Sequence, residues 1–272
     1  MPSGSCAAPL KLMKRTGAII FLLLIFPGLT SLSWATESLQ SLVAKRLGKG
    51  GEILDLSGVV IGEKGAKKLA TMAQLSSVTT LLLQSNRIKQ RGVKALAQSP
   101  HLANLKHLDL WGNLIGDMGL KALAESPYIK NLESLKIWKN EIGDEAFEIV
   151  GRSQNFLNVK TLMLNDNLIT YLGVAALADV KTLPRLETLN LFRNELGDEG
   201  AVAFAGSKNF PNLKALYMGQ NNITDAGATA LLESKFFPNL KLLDLVLNPL
   251  SENIYVKAYR AGKERGVQVI LR

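Results

Sequence analysis

The amino-acid sequence predicts an α/β solenoid, in which every repeat supplies one short strand and one short helix. The main observation is a series of seven asparagines at a constant spacing of 27 residues: Asn86, Asn113, Asn140, Asn167, Asn194, Asn221 and Asn248. Each of them lies in the pattern Leu-x-Leu-x-x-Asn-x-Ile or a conservative variant of it, and a stretch of helical character follows. A self-similar period of this length is the signature of repeats that stack on one another.

The first 35 residues are predicted to be a secretory signal segment. Three basic residues precede an uncharged apolar run over residues 17–26, and Ser33-Trp34-Ala35 then places small residues before the expected cleavage point. The start is either Met1 or Met13. The alternative is a retained membrane anchor, because residues 17–34 are about long enough to span a bilayer.

The composition of the remaining chain limits its function. Removal of the signal segment takes away three basic residues and the only cysteine, Cys6, and leaves 29 basic and 23 acidic side chains, a net charge of +6. Disulfides, thiolate catalysis and cysteine metal sites are therefore excluded, and animal or plant secreted repeat proteins usually carry cystine caps. We expect an exported bacterial protein, located in the periplasm, at the cell surface or outside the cell.

Within one repeat, positions are counted from the asparagine. The apolar residues at minus 5 and minus 3, such as Leu135 and Ile137, alternate as in a strand with one buried face. Acidic residues at plus 4 are expected to stabilise the start of their own helix. Glycine at plus 6 is expected to let that helix approach the strand layer closely. The plus 4 acids are Asp117, Asp144, Asp198, Asp225 and Glu63.

The asparagines are predicted to form a structural ladder. Each side-chain amide is expected to turn inward and to bind backbone groups of its own turn and of the next repeat. Val59 occupies the equivalent position in the first repeat, where one neighbour is missing. Loss of an internal member, as in Asn140→Ala, is expected to cost roughly 1–3 kcal/mol because buried backbone groups would lose their partners.

These patterns resemble the leucine-rich repeat family, and the Ile-Gly-Asp-x-Gly-x-x-x-Leu-Ala segment is most similar to its ribonuclease-inhibitor-like branch. The resemblance implies a horseshoe with a parallel sheet on the concave side and helices on the convex side. It covers eight repeats, in residues 53–250. Before them, residues 36–52 are predicted to form a capping helix. After them, residues 251–272 are predicted to form a cap helix and an edge strand.

Family geometry places positions minus 6, minus 4 and minus 2 on the concave surface, where large aromatic side chains have no core to fill. Exposed aromatic rings are typical of protein-binding hot spots. We therefore predict a partner-binding patch that consists of Trp111, Trp138, Phe192, Tyr217, His107, Asp109, Lys136, Lys139, Asp166 and Arg193. The function that follows is recognition of a protein or peptide by a non-enzymatic, monomeric module.

Two alternatives use the same surface differently. The aromatic residues could bind a glycan or a cell-wall polymer, or they could shield one another in a passive scaffold. Catalysis is not expected, since His101 and His107 lie near no nucleophile or metal-ligand pattern, and we predict no catalytic residue, metal or cofactor. Nucleic acid is not an expected partner. A membrane would be contacted only through an uncleaved signal segment.

Overall fold

The computed structural model describes residues 38–272. These residues form one continuous stack of alternating strands and helices, and the predicted signal segment lies outside them. The strands are β1 (Ile53–Asp55), β2 (Thr80–Leu82), β3 (His107–Asp109), β4 (Ser134–Lys136), β5 (Thr161–Met163), β6 (Thr188–Asn190), β7 (Ala215–Tyr217), β8 (Leu242–Asp244) and β9 (Gln268–Ile270). The helices are α1 (Leu39–Arg46), α2 (Gly62–Leu69), α3 (Lys89–Ala97), α4 (Gly116–Ala124), α5 (Glu145–Val150), α6 (Tyr171–Ala178), α7 (Gly197–Ala205), α8 (Asp225–Glu233) and α9 (Glu252–Arg265).

All strands of the described chain belong to one parallel sheet, in the order of the sequence. From β1 to β8, residues 27 apart are direct neighbours, for example Leu108 and Leu135. Parallel strands lie about 4.8 Å apart, whereas packed helices need about 8–10 Å. The helices therefore occupy the wider, convex side and the sheet the concave side. The predicted leucine-rich repeat solenoid is confirmed.

The hydrophobic core fills the space between the sheet and the helices. In the fourth repeat, Leu135 and Ile137 point inward from the strand, Ile142 from the turn and Val150 from the helix, and all four are buried. The same positions are apolar and buried in the other internal repeats. Burial of one such side chain stabilises the fold by about 1.5–3 kcal/mol, so every repeat contributes through a similar set of contacts.

The asparagine ladder joins each repeat to the preceding one, not to the following one as expected from the sequence. The Asn113 amide donates to Leu83 O of the preceding repeat and to Leu110 O of its own, both at 2.8 Å. Its Oδ1 accepts from the backbone N–H groups of Asn86 and Ile88 in the preceding repeat. The amides therefore bind main chain at every step and do not bond to one another.

The plus 4 aspartates act on the following helix rather than on their own. Asp198 Oδ1 accepts from Thr224 N at 2.8 Å and from Gly227 N at 2.9 Å, at the start of α8. Asp117 contacts the start of α5 in the same way, through Gly143 N at 3.1 Å. The expected capping chemistry is present, but it is shifted by one repeat because the side chain reaches across the stack.

These aspartates give folding an acid dependence. For Asp198, partial burial opposes ionisation, but hydrogen bonds from Thr224 and Gly227 outweigh it and lower the pKa. The Ser251 hydroxyl and N–H lower the pKa of Asp225. A lowered pKa means that the folded protein binds the proton more weakly than the unfolded chain does. This stabilisation is therefore complete above the unfolded pKa, near 4, and is lost as the pH falls through the folded pKa.

We expect thermal unfolding measured between about pH 5 and pH 2 to show this loss, and an Asp198→Asn/Asp225→Asn variant to show a shallower one. Asp117→Asn is the matched control. Burial raises the pKa of Asp117, so its removal should not make the acid loss shallower. Equal acid profiles for the wild type and the double variant would contradict this assignment.

The glycines at plus 6 lie against the plus 2 side chain of their own repeat, and several of them also lie against the preceding helix, whereas the sequence suggested contact with the strand layer. A Cβ atom added at Gly92 would lie 2.5 Å from Cγ2 of Ile88, 3.1 Å from Cβ of Ala66 and 3.4 Å from Cα of Glu63. Ala66 and Glu63 belong to α2, the preceding helix. Space for a side chain at this position is therefore limited first by Ile88 of the same repeat and then by the neighbouring helix.

A column of buried serines is a further link between repeats that the sequence reading did not identify. Each hydroxyl donates to a carbonyl near the helix end one repeat earlier, as in Ser126 Oγ to Ala97 O at 2.5 Å. Ser99, Ser153, Ser207 and Ser234 make the equivalent bond. These bonds tie the helical side of the stack together as the asparagines tie the strand side.

Both ends of the described stack have elements that differ from the repeat. At one end, α1 buries Leu42 and Val43, and Leu47 forms an antiparallel bridge with Leu54 of β1. At the other end, β9 pairs with β8 after α9, which stops at Gly266 in a left-handed conformation with φ of 67°. The limits of the cap and repeat segments stay predictions.

Candidate functional site

Two tryptophans stack on the open face of the sheet. Since the minus 5 and minus 3 side chains point into the core, the minus 2 side chains point to the opposite face. Trp111 and Trp138 occupy this column on neighbouring repeats and are both half-buried. Their ring centroids lie 4.4 Å apart with an interplanar angle of 13°. Each ring therefore covers one face of the other, and the outer faces and edges of the pair remain for other contacts.

The side chains beneath Trp111 are well ordered by hydrogen bonds. Asp109 Oδ1 accepts from Trp111 N at 3.1 Å, and its Oδ2 accepts from Gln84 Nε2 at 2.8 Å. Asp109 is only 7% exposed, so it positions the tryptophan and is not part of an exposed rim as the sequence suggested. No hydrogen bond joins Asp109 to His107 among the described residues.

The indole nitrogen of Trp111 is an exception among the polar groups. Within the described chain, Trp111 Nε1 is buried and has no hydrogen-bond partner. A buried N–H without a partner costs about 1–3 kcal/mol. In a purely structural element, every buried polar group is expected to have a hydrogen-bond partner. The stacked pair does not meet this expectation, because Trp111 Nε1 has none within the described chain.

Phe192 and Tyr217 form a second aromatic region on the same face. Phe192 is held by a hydrogen bond from its N–H to Asn190 Oδ1 at 2.9 Å, and its ring lies against Gly219, where an added Cβ would be 2.8 Å from Cδ2. Asn165 occupies the column between this region and Trp138. The predicted aromatic surface therefore has two parts separated by one polar repeat.

The charged residues of the predicted patch differ in how they are paired. Arg193 and Asp166 form an ion pair with an N–O distance of 3.3 Å. His107 is exposed, as are Lys136 and Lys139, and neither lysine forms an ion pair within the described residues. The two unpaired ammonium groups come from the Trp138 repeat, so the surface around the tryptophan pair is positively charged on one side.

Three of the rim residues have unusual backbone conformations. Lys139, Asp166 and Arg193 all have φ between 54° and 56°. The minus 1 position is left-handed in every repeat, including Gly58 and Gly112, so the turn geometry of the repeat imposes it. Backbone strain at these residues consequently carries no information about function.

Comparison with known proteins agrees with this geometry. A family model described as Leucine Rich repeat matches four segments of the chain, residues 74–97, 101–124, 183–205 and 211–232. Together with the stacked parallel sheet, these matches support the leucine-rich repeat family for this chain. Assignment of the chain to the ribonuclease-inhibitor-like branch stays a prediction. A comparison with curated proteins found no match.

Among solved structures, the chain is similar to an internalin C2 from Listeria monocytogenes. The TM-score is 0.53 with 21% sequence identity, and the match covers 87% of this chain and 84% of the internalin. At this identity the likeness concerns the fold. In residues 38–272, no helix combines the length and apolarity needed to cross a membrane, and no group of three or more His, Cys, Asp or Glu side chains could hold a metal ion.

Proposed function

We propose that the protein recognises a protein or peptide partner through the concave face, with the Trp111 and Trp138 pair at the centre. The observation that carries the proposal is the stacked, half-exposed indole pair on a face that has no core to cover it. Rigid aromatic side chains of this kind supply much of the affinity at protein interfaces. Leucine-rich repeat proteins generally bind protein partners, which supports this class of function.

The rim narrows the chemistry of the partner. Lys136 and Lys139 lie beside the tryptophan pair, and neither has an ion-pair partner in the described part of the chain. A partner with a carboxylate next to an apolar or aromatic side chain would satisfy both the charges and the ring edges. Phe192 and Tyr217 would contact the same partner two and three repeats further along. We also propose export from a bacterial cell, which rests on the charge and apolar pattern of the first 35 residues.

Replacement of both tryptophans tests the proposed function. We expect Trp111→Ala/Trp138→Ala to lower affinity for partners captured by the wild type by about 30-fold or more, since hot-spot truncation costs at least about 2 kcal/mol. The measurement is quantitative pull-down of extracts on immobilised protein, followed by titration of the recovered partner. Tyr259→Ala is the matched control, because Tyr259 is equally an exposed aromatic but lies on α9.

If the double variant recovered the same amount of partner at unchanged thermal stability, the tryptophan pair would be a passive element of the scaffold. A glycan ligand predicts a different result. A sugar bound to an outer indole face would shift the tryptophan fluorescence, whereas under the proposed protein recognition oligosaccharides should leave it unaltered. A spectral shift with oligosaccharide, and none with recovered protein, would favour the glycan alternative.

A further inference from the structure

We propose a second interaction surface on the flank of the solenoid, where the strand turns into the helix of the fifth repeat. The flank patch consists of Leu168, Tyr171 and Leu172, which are 56%, 48% and 58% exposed. The geometry points to a basic protein segment as its partner, with an apolar side chain between lysines or arginines. The flank patch does not include the tryptophan pair. A negative result for the function proposed at that pair would therefore leave this inference unaffected.

The backbone that carries the flank patch is well ordered. Leu168 N donates to Ile142 O of the preceding repeat at 2.8 Å, and Glu195 N of the following repeat donates to Ile169 O at 2.9 Å. Thr170 caps α6 by accepting from Leu172 N at 3.2 Å. The three apolar side chains are therefore presented by a fixed turn and helix start, so little ordering entropy would be lost on binding.

Tyr171 breaks the pattern of the repeat. It stands at plus 4, where Asp117, Asp144, Asp198 and Asp225 each bind the start of the following element through backbone N–H groups. Tyr171 cannot supply that carboxylate, and no side-chain hydrogen bond reaches the first N–H groups of α7 among the described residues. Gln90 also departs from the acidic column, but only Tyr171 replaces the acid with an exposed aromatic ring. A position that gives up a stabilising bond and exposes an aromatic ring in its place is typical of a functional site.

Acidic residues lie on both sides of the flank patch. Glu141 and Glu195 occupy the position of Leu168 in the preceding and following repeats, and Glu145 and Glu199 occupy the position of Leu172. Glu141, Glu195 and Glu199 form no ion pair within the described chain, while Glu145 lies 3.5 Å from Lys121. The whole chain carries a net charge of +9, so an acidic frame around an apolar centre is a local departure from the charge of the molecule.

Other charged groups near this acidic frame are already paired or lie elsewhere. Asp144 is engaged by Thr170, and Arg193 pairs with Asp166 on the sheet side of the same turns. Lys139 also lies on the sheet side, next to the concave face. A basic partner would therefore approach from the helix side, where the glutamates are. Electrostatic complementarity of this kind chiefly sets partner choice and association rate.

The spacing of the frame sets the size of the partner segment. Residues two repeats apart are separated by about 10 Å at the strands and about 20 Å at the helices. An extended chain advances about 3.3 Å per residue, so its basic residues would stand about three to six positions apart with an apolar anchor between them.

The third repeat offers a matched control surface. Leu114 and Met118 occupy the positions of Leu168 and Leu172 and are 47% and 59% exposed. Their neighbours in the preceding repeat are Arg87 and Arg91, and those in the following repeat are Glu141 and Glu145. The two surfaces thus expose similar apolar side chains, but the residues around Leu114 and Met118 carry charges of both signs, whereas those around the flank patch are acidic.

Selection from a random 12-residue display library tests the proposal. Peptides are selected on the wild-type protein and counter-selected on Leu168→Ser/Leu172→Ser. We expect enriched peptides to carry an apolar residue flanked by Lys or Arg. In anisotropy titrations, the enriched peptides should lose at least tenfold in affinity for Leu168→Ser/Leu172→Ser and for Glu141→Gln/Glu195→Gln. They should also bind at least fivefold more weakly at 300 mM than at 50 mM salt, because the charges are exposed.

The controls separate this surface from the concave one. Leu114→Ser/Met118→Ser and Trp111→Ala/Trp138→Ala should bind the enriched peptides as the wild type does. Enrichment of acidic or uncharged peptides, no enrichment over the counter-selected variant, or equal loss with Leu114→Ser/Met118→Ser would each overturn the proposal. All substituted side chains of the flank patch are exposed, so the variants should remain folded, which thermal unfolding would verify.

Discussion

Asn140→Ala should destabilise the protein by about 4 kcal/mol, more than the roughly 1–3 kcal/mol expected from the sequence, because one amide serves four backbone groups. Its Oδ1 accepts from Asn113 N at 2.9 Å and from Ile115 N at 3.4 Å. Its Nδ2 donates to Leu110 O and to Trp138 O, both at 3.0 Å. Each buried group that loses its partner costs about 1–3 kcal/mol, and water can reach only part of them. The decrease would be measured as a shift in the denaturant midpoint.

Asn131→Ala is the matched control for the ladder. Asn131 is also an asparagine that bonds to the preceding repeat, through Nδ2 to Ala103 O at 3.0 Å, but this bond is exposed. We expect its loss to cost less than about 1 kcal/mol, since water replaces the donor. Equal destabilisation by the two substitutions would show that the inward amides are not the main polar link between repeats.

Gly92→Val should destabilise the protein by about 3 kcal/mol, although valine is a better helix former than glycine. The branched side chain would overlap with Ile88 and Ala66 and press on the α2 backbone at Glu63. Relief requires α2 and α3 to separate, which also opens the core beneath them. The effect would be read from thermal and denaturant unfolding of the variant.

Gly206→Ala provides the comparison for the helix-contact glycines. An added Cβ at Gly206 would meet nothing closer than 3.6 Å, and the backbone there is right-handed with φ of −82°. We expect a change within about 0.5 kcal/mol. A Gly92→Val variant that unfolds at the same denaturant concentration as Gly206→Ala would refute close helix packing as the reason for the plus 6 glycine.

The fold could be predicted from the sequence because one signal is repeated without interruption. Seven asparagines at a spacing of 27 residues fix the register of every strand, and the alternation of Leu135 and Ile137 indicates which face is buried. Such a pattern is redundant, so a single atypical residue such as Val59 does not obscure it.

The links between repeats were less predictable. A one-dimensional pattern shows that Asp198 and the asparagines recur, but not which neighbouring repeat their side chains reach. That depends on how the successive turns are offset along the stack. For the same reason, the sequence predicts contact of Gly92 with the strand layer and does not indicate its contact with the neighbouring helix.

For the candidate site, the sequence indicated which rings share a column, and the structure adds their contacts. The stacking of Trp111 and Trp138 follows from their spacing of 27 residues. The burial of Asp109 did not follow, because it depends on the reach of Gln84 from the adjacent repeat. The flank patch has one signal in the sequence, since Tyr171 departs from the mostly acidic plus 4 column.

The uniform bonding between repeats has a consequence for how this chain can change in length. Because each ladder asparagine meets backbone groups in the preceding repeat, any internal repeat that keeps the spacing can follow any other on the strand side. Duplication or excision of one whole 27-residue unit would preserve the asparagine junctions, whereas a gain or loss of a few residues would disrupt two. The binding surface would therefore change in steps of one whole repeat. Unequal recombination between the DNA segments that encode the repeats is the natural route for such a step.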